Sequence, residues 1–192
     1  MLSSMDLRSV GDLVGATAAG EKVDYLWFWG HQPERNGQPG PGCLSQWWPV
    51  RFTVDGARFE SAEHYMMWGK AVLFGDTENA ARVLAAPTPK DAKELGRQVR
   101  GFDSGVWRAH RFETVVRGNV AKFGQRAELA AYLLGTGDRV LVEASPVDRV
   151  WGIGLAADDP RAEDPAQWRG LNLLGFALMA ARARLRGGRP GD

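Results

Sequence analysis

The 192-residue chain has one cysteine, Cys43, so no disulfide can form within it. Its apolar runs fall well short of the roughly 18 residues that a membrane-spanning helix needs. Charge of one sign is also missing. Lys+Arg total 24 against 23 Asp+Glu, a net +1. That balance removes bulk attraction to nucleic acid as an argument. The first residues, MLSSMDLRSV, carry Asp6 and Arg8 and no apolar core, so no signal peptide is expected. With the lone cysteine, this points to a cytoplasmic protein. Familiar chemical motifs are absent too. There is no GxxxxGK followed by Ser or Thr, no HExxH and no paired CxxC. The three histidines, His31, His64 and His110, lack metal-ligand spacing, so neither a metal nor a cofactor is expected.

What is present is an ordinary globular composition, 44% hydrophobic and 24% charged, long enough for a real core. Two residue types stand out. Glycine occurs 24 times, nearly twice its usual share of about 7%. Tryptophan occurs eight times, at 27, 29, 47, 48, 68, 107, 151 and 168, against three Tyr. Indoles fill cores, but they also stack on planar ligands.

The pattern along the chain predicts a mainly α protein with a few short β-strands. It reads as one compact domain of about six helices. Residues 1–22 read as a loose or weakly helical lead-in, 23–187 as the domain and 188–192 as a frayed tail. VDYLWFWG (23–30) is strand-like. HQPERNGQPGPGC (31–43) reads as a surface loop. Asp55-Gly56 suits a type I′ hairpin turn. Ser61 then caps a helix to about Phe74, stopped by Gly75. Helices follow over about 78–86, from Pro89 to Arg100, 105–123 and 126–134. RVLVEAS (139–145) alternates like a strand, and the last helix covers about 171–186.

Four constellations carry chemistry. The first is SAEHYMMWGKAVLF, apolar nearly all round, with Glu63 and Lys70 seven residues apart on one face. A buried acid and amine are costly unless paired or used. The bland readings are a dipole-favoured first-turn acid and a lysine that snorkels to solvent. The second is VEASPVDRVWGIG (142–154), a strand end feeding a Gly-rich loop with Asp148, Trp151 and Gly152. Its bland reading is a tight turn plugged by Trp151. GIGLAA (152–157) matches GxGxxA, but Asp158-Asp159-Pro160 breaks the helix that motif needs. The ribose-binding acid downstream is missing too, so a dinucleotide fold is excluded. The third is QWRGLNLLGFALM (167–179), where Asn172 caps or enters the last helix. The fourth is LGRQVRGF (95–102), whose Arg97 and Arg100 hold phosphate or form a solvated face.

Taken together, SQWWPVRFTVDGARFESAEHYMMWGKAVLFGD, LGRQVRGFD, VVRGNVAKF, ASPVDRVWGIGL and WRGLNLLGFALM resemble, in that order, the NADAR family. Its members include the riboflavin-biosynthesis-intermediate N-glycosidases. The resemblance spans about residues 25–186, with 31–43 as an insertion. It implies a hydrolase that cuts the C1′–N bond of ribosylamino-pyrimidine phosphates and releases ribose 5-phosphate. The alternatives are an ADP-ribosyl-guanine hydrolase and a non-catalytic ADP-ribose or NAD-binding module. The expected partner is a small phosphorylated ribosylamino-pyrimidine or an ADP-ribosylated guanine. Nucleic acid enters only under the alternative, and no membrane is involved.

Cleaving that bond builds positive charge on the ribose, so carboxylates and a proton donor are required. The expected catalytic residues are Glu63, Lys70 and Asp148. One acid activates water and the other steadies the ribose. Lys70 hydrogen-bonds the ribose or attacks the opened C1′ aldehyde as a Schiff base. The expected substrate-binding residues are Phe28, Trp68, Arg97, Trp151, Gly152 and Asn172. Arg51 and Arg100 are weaker phosphate candidates.

Overall fold

A computed structural model describes residues 7–35 and 37–188. Residues 1–6 of the expected lead-in, Asn36 in the 31–43 loop and residues 189–192 of the expected tail lie outside the described residues. The elements are α1 (Val10–Ala18), β1 (Tyr25–Phe28), β2 (Phe52–Val54), β3 (Ala57–Phe59), α2 (Ala62–Leu73), α3 (Thr77–Leu84), α4 (Pro89–Arg97), α5 (Ser104–Gly124), α6 (Ala127–Gly135), β4 (Val140–Glu143) and α7 (Leu173–Gly187). The protein is mainly α with four short strands among the described residues, in line with the sequence pattern. Among those residues no helix is long and apolar enough to cross a membrane. The chain clusters into two compact units, residues 46–127 and residues 1–45 with 128–192.

The 46–127 unit starts with the β2–β3 hairpin. Asp55 and Gly56 both have positive φ, at 50° and 81°, as a type I′ turn requires. Phe52, Phe59 and Tyr65 close a buried aromatic cluster beneath it. The Ser61 side chain accepts the His64 N–H and so caps α2. Thr88 caps α4 and Asp103 caps α5 in the same manner. Helix α4 ends at Arg97, three residues before the expected Arg100. Its last carbonyls are taken by tertiary donors: Asn79 Nδ2 donates to Leu95 O and Lys70 Nζ to Gly96 O. The next turn instead hands the Arg100 N–H to Asp76.

In the other unit, β1 and β4 pair in parallel, Tyr25 opposite Val140 and Phe28 opposite Glu143. The 46–127 segment lies within the chain that connects them. Helix α1 gives the lead-in, read from the sequence as loose or weakly helical, a definite helix. It is nine residues long, capped by Ser9, and buries only Leu13 and Ala16. The 31–43 loop is not wholly a surface loop. Its end enters a short 3-10 turn, Pro41–Leu44, that buries Cys43 and Leu44 completely. The irregular 146–170 stretch holds two further 3-10 turns, Pro160–Glu163 and Pro165–Gln167.

Two glycines separate tight packing from open helix. A Cβ at Gly175 would collide with Leu141 O, whereas one at Gly15 would meet nothing within 4 Å. Gly175→Ala should therefore cost about 1–3 kcal/mol through overpacking. Gly15→Ala should stabilise by about 0.5–1 kcal/mol through helix propensity. Equilibrium urea unfolding of both variants checks the pair.

Candidate active site

Glu63 sits in the first turn of α2, only 3% exposed. Its backbone N–H donates to Gln46 O at 2.9 Å. Gln46 Oε1 in turn accepts from Asn119 Nδ2 at 2.9 Å, which ties the start of α2 to the middle of α5. The two helices approach closely and run antiparallel. A Cβ at Gly118 would collide with the Tyr65 ring, and one at Gly69 would lie 2.9 Å from Thr114 Cγ2. That register brings Asn119 and Lys122 level with the Glu63 end of α2. Both are completely buried, with Lys122 Nζ 4.9 Å from the Phe123 ring centre. Asn119 Nδ2 is doubly used, by Gln46 and by Val115 O, but Asn119 Oδ1 accepts no hydrogen bond among the described residues. Buried polar atoms are seldom left so. Sequence reasoning missed Gln46, Asn119 and Lys122 as members of this cluster. The only signal was VVRGNVAKF, which places an amide and an amine on one helical face.

Lys70 closes the other end of α2. Its Nζ donates to Gly96 O at 2.7 Å and lies 4.2 Å from the centre of the Phe102 ring and 6.0 Å from that of Trp107. No carboxylate pairs with it among the described residues. Burial lowers its pKa below the usual lysine range, because the charged form is poorly solvated there. It is therefore not a snorkelling lysine. Trp68, expected to bind substrate, packs edge-on against Phe59 at 5.3 Å and beside Tyr65 at 5.9 Å, which explains it as part of the core. The expected phosphate ligands are already engaged. Arg97 pairs with Glu94 at 2.6 Å and Arg51 with Glu60 at 2.8 Å. Arg100 bonds both Asp76 and Glu78 and holds the Asp76 carboxyl down at about 2.

In the other unit, Asp148 organises the loop after β4. Its Oδ1 accepts the N–H groups of Val150 and Trp151 at 2.8 and 2.7 Å, and its own N–H donates to Ser145 Oγ. Its Oδ2 makes no hydrogen bond among the described residues. Trp151 is half-buried, its main chain held by Asp148 on one side and by the Leu174 N–H on the other. Gly152 is explained by packing. A Cβ there would lie 2.9 Å from Glu143 O and 3.1 Å from Asp148 O.

Asn172 is also explained without a ligand. It is wholly buried, has a φ of 50°, and its side chain makes no cap bond to α7. Instead Oδ1 accepts from Glu143 N at 3.0 Å and Nδ2 donates to Leu141 O at 2.9 Å. One side-chain amide thus satisfies the β4 edge that β1 leaves open. Phe28 is buried in β1 at 3% exposure. Among the described residues no group of three or more His, Cys, Asp or Glu side chains is placed to hold a metal ion.

Comparisons with known proteins agree on one family. The NADAR domain model matches residues 27–186. The chain is 41% identical to "N-glycosidase R617" of Acanthamoeba polyphaga mimivirus over 167 residues, covering 84% of this chain and 96% of that protein. It is 32% identical over 159 residues to "Riboflavin biosynthesis protein VVA0006" of Vibrio vulnificus, covering 81% of this chain but 38% of that longer protein. The solved NMR structure of the Escherichia coli protein YbiA superposes with a TM-score of 0.68 at 25% identity. It covers 86% of this chain and 87% of that one.

His64 shows how the start of α2 is fixed. Its Nε2 lies 3.1 Å from Ala86 O, an atom that only accepts, so Nε2 carries the proton. The neutral ring then accepts the Ser61 hydroxyl at Nδ1, 2.8 Å away. Burial lowers the His64 pKa from 6.5. The folded state therefore binds fewer protons than the unfolded chain just below 6.5. The stability contributed by neutral His64 is complete above about pH 6.5 and is lost as pH falls toward the lowered folded value. Thermal melts between pH 8 and pH 5 should show this decline, and His64→Gln should flatten it.

Proposed function

The chain belongs to the NADAR domain family, and from that premise we propose that it is an N-glycosidase, a hydrolase acting on the C1′–N bond of ribosylamino-pyrimidine phosphates. Relatives named N-glycosidases support the reaction class, and the relative named a riboflavin biosynthesis protein supports the substrate class. The observation that carries the reading is Lys70. An amine with a neutral carbonyl and two aromatic rings for neighbours, and no carboxylate partner among the described residues, holds more of its population in the nucleophilic neutral form. A single cysteine and a phosphorylated substrate favour a cytoplasmic site of action.

The chemistry follows from the aminal character of a ribosylamine. Ring opening gives an imine between C1′ and the pyrimidine amine. Lys70 Nζ adds to C1′, forming a C–N bond, and the aminopyrimidine leaves with the original C1′–N electron pair and a proton. Water then adds to the Lys70 Schiff base, releasing the aldehyde of ribose 5-phosphate and restoring the amine. Glu63, buried on the same face of α2, supplies the departing proton and takes one from the water. Asp148, through Oδ2, and Trp151, through its indole, are the ligand-binding candidates of the loop after β4, assigned within their own unit.

Assays of released sugar test this with a panel of ribosylamino-pyrimidine phosphates, ADP-ribosyl-guanosine and NAD. Ribose 5-phosphate should appear from the first class. Glu63→Gln should lower kcat by about 100-fold or more. Lys70→Ala should reduce turnover to background. Full-rate turnover by either variant contradicts its assignment. Release from ADP-ribosyl-guanosine alone overturns the substrate class and leaves the reaction class standing.

A further inference from the structure

Arginines in the 1–45 and 128–192 unit mostly have partners. Arg161 pairs with Asp159 at 2.6 Å, Arg186 with Asp138 at 2.8 Å, and buried Arg182 bonds Thr136 Oγ1 and Arg139 O. Two do not. Among the described residues the side chains of Arg149 and Arg169 form no hydrogen bond and no ion pair. Both are exposed.

They are also neighbours in space. Gly154, at φ 70°, marks the place: a Cβ built there would lie 3.0 Å from Arg169 Cβ and 3.1 Å from Arg149 Cγ. Main-chain bonds lock the two segments side by side. Arg169 N–H donates to Ile153 O at 2.9 Å, Leu171 N–H to Arg149 O at 3.0 Å, and Asn172 N–H to Gly152 O at 3.1 Å. Gly170 lets them close, since a Cβ there would lie 2.8 Å from Arg149 Cα. Two exposed arginines rooted side by side on hydrogen-bonded backbone can direct both guanidinium groups at one anion. Nearby acids form no ion pair with either, although the charge of Arg169 is felt at Asp159. Asp148 Oδ1 is spent on the loop amides, and both oxygens of Asp159 are bonded to Arg161.

We propose that Arg149 and Arg169 form a phosphate-binding fork. Guanidinium pairs match phosphate oxygens by parallel N–H bonds, which suits a terminal phosphomonoester dianion. The site itself stands on this geometry. Only the identity of the phosphate carrier, a ribose 5-phosphate moiety, rests on the proposed function.

Binding of inorganic phosphate to the intact protein, read by calorimetry and by amide shifts at Gly154 and Arg169, tests the site without any turnover. Arg149→Gln and Arg169→Gln should each weaken binding by about tenfold or more. The double variant should abolish it, with thermal melts confirming that each variant folds. Arg149→Lys, which keeps the charge but not the fork, should fall between wild type and Arg149→Gln. Unchanged phosphate affinity in the folded double variant overturns the proposal. Competition identifies the carrier. Displacement by ribose 5-phosphate but not by ribose supports the monoester. Stronger displacement by ADP-ribose keeps the anion site and overturns the monoester assignment. Loss of N-glycosidase activity from the whole substrate panel leaves the phosphate titration unaffected, so the two readings fail separately.

Discussion

Gly96 meets Met67 with no space for a side chain, and this closeness between α4 and α2 brings the Gly96 carbonyl to Lys70. The amine's environment follows from that contact. With Gly96 O as its hydrogen-bond acceptor among the described residues and Phe102 and Trp107 nearby, Lys70 is partly desolvated without a carboxylate partner. A carboxylate in the same place would raise its pKa and favour the charged amine. Asp76 holds the surroundings in place. It caps α3 and binds the main chain and guanidinium of Arg100, two residues before Phe102. Ion pairing and the partly buried amine are thus kept on different residues of one unit.

The other unit uses the same device for a different end. Close backbone approach at Gly152, Gly170 and Gly175 lets the loop after β4 and the entry to α7 lie against one another. Asn172 completes the arrangement by acting as a third strand in miniature along β4. Asp148 then fixes the turn that presents Trp151. Part of the glycine surplus is therefore a packing requirement, and eight of the described glycines, Gly56 and Gly154 among them, have a positive φ.

Local chemistry was legible where a few adjacent residues decide the outcome. Asp55-Gly56 defines its turn, and Ser61, Thr88 and Asp103 each cap the helix that follows them. Helix α1 was legible only as a loose or weakly helical lead-in, because two buried residues make no clear period. The early end of α4 was not legible, since it depends on donors from Asn79 and Lys70. The candidate site could be proposed as residue types but not as partnerships. Glu63, Lys70 and Asp148 could be picked out as chemically expensive or well placed. Which arginines were already paired could not, since Glu60 and Asp76 reach Arg51 and Arg100 only in the folded chain. Asn172 was noticed for its position, yet its role needed the β4 edge to be seen. The tryptophans divide on the same principle. Trp68 has found aromatic partners, Trp107 walls an amine, and Trp168 donates its Nε1–H to Ala162 O.

The most direct measurement of the central claim is reductive trapping. The protein is incubated with a ribosylamino-pyrimidine phosphate, treated with borohydride and digested for mass spectrometry. The expected result is a single ribityl phosphate adduct on the peptide that contains Lys70, absent when borohydride or substrate is omitted. Complete turnover of substrate with no adduct on Lys70 would contradict the account and leave a carboxylate-activated water as the attacking group.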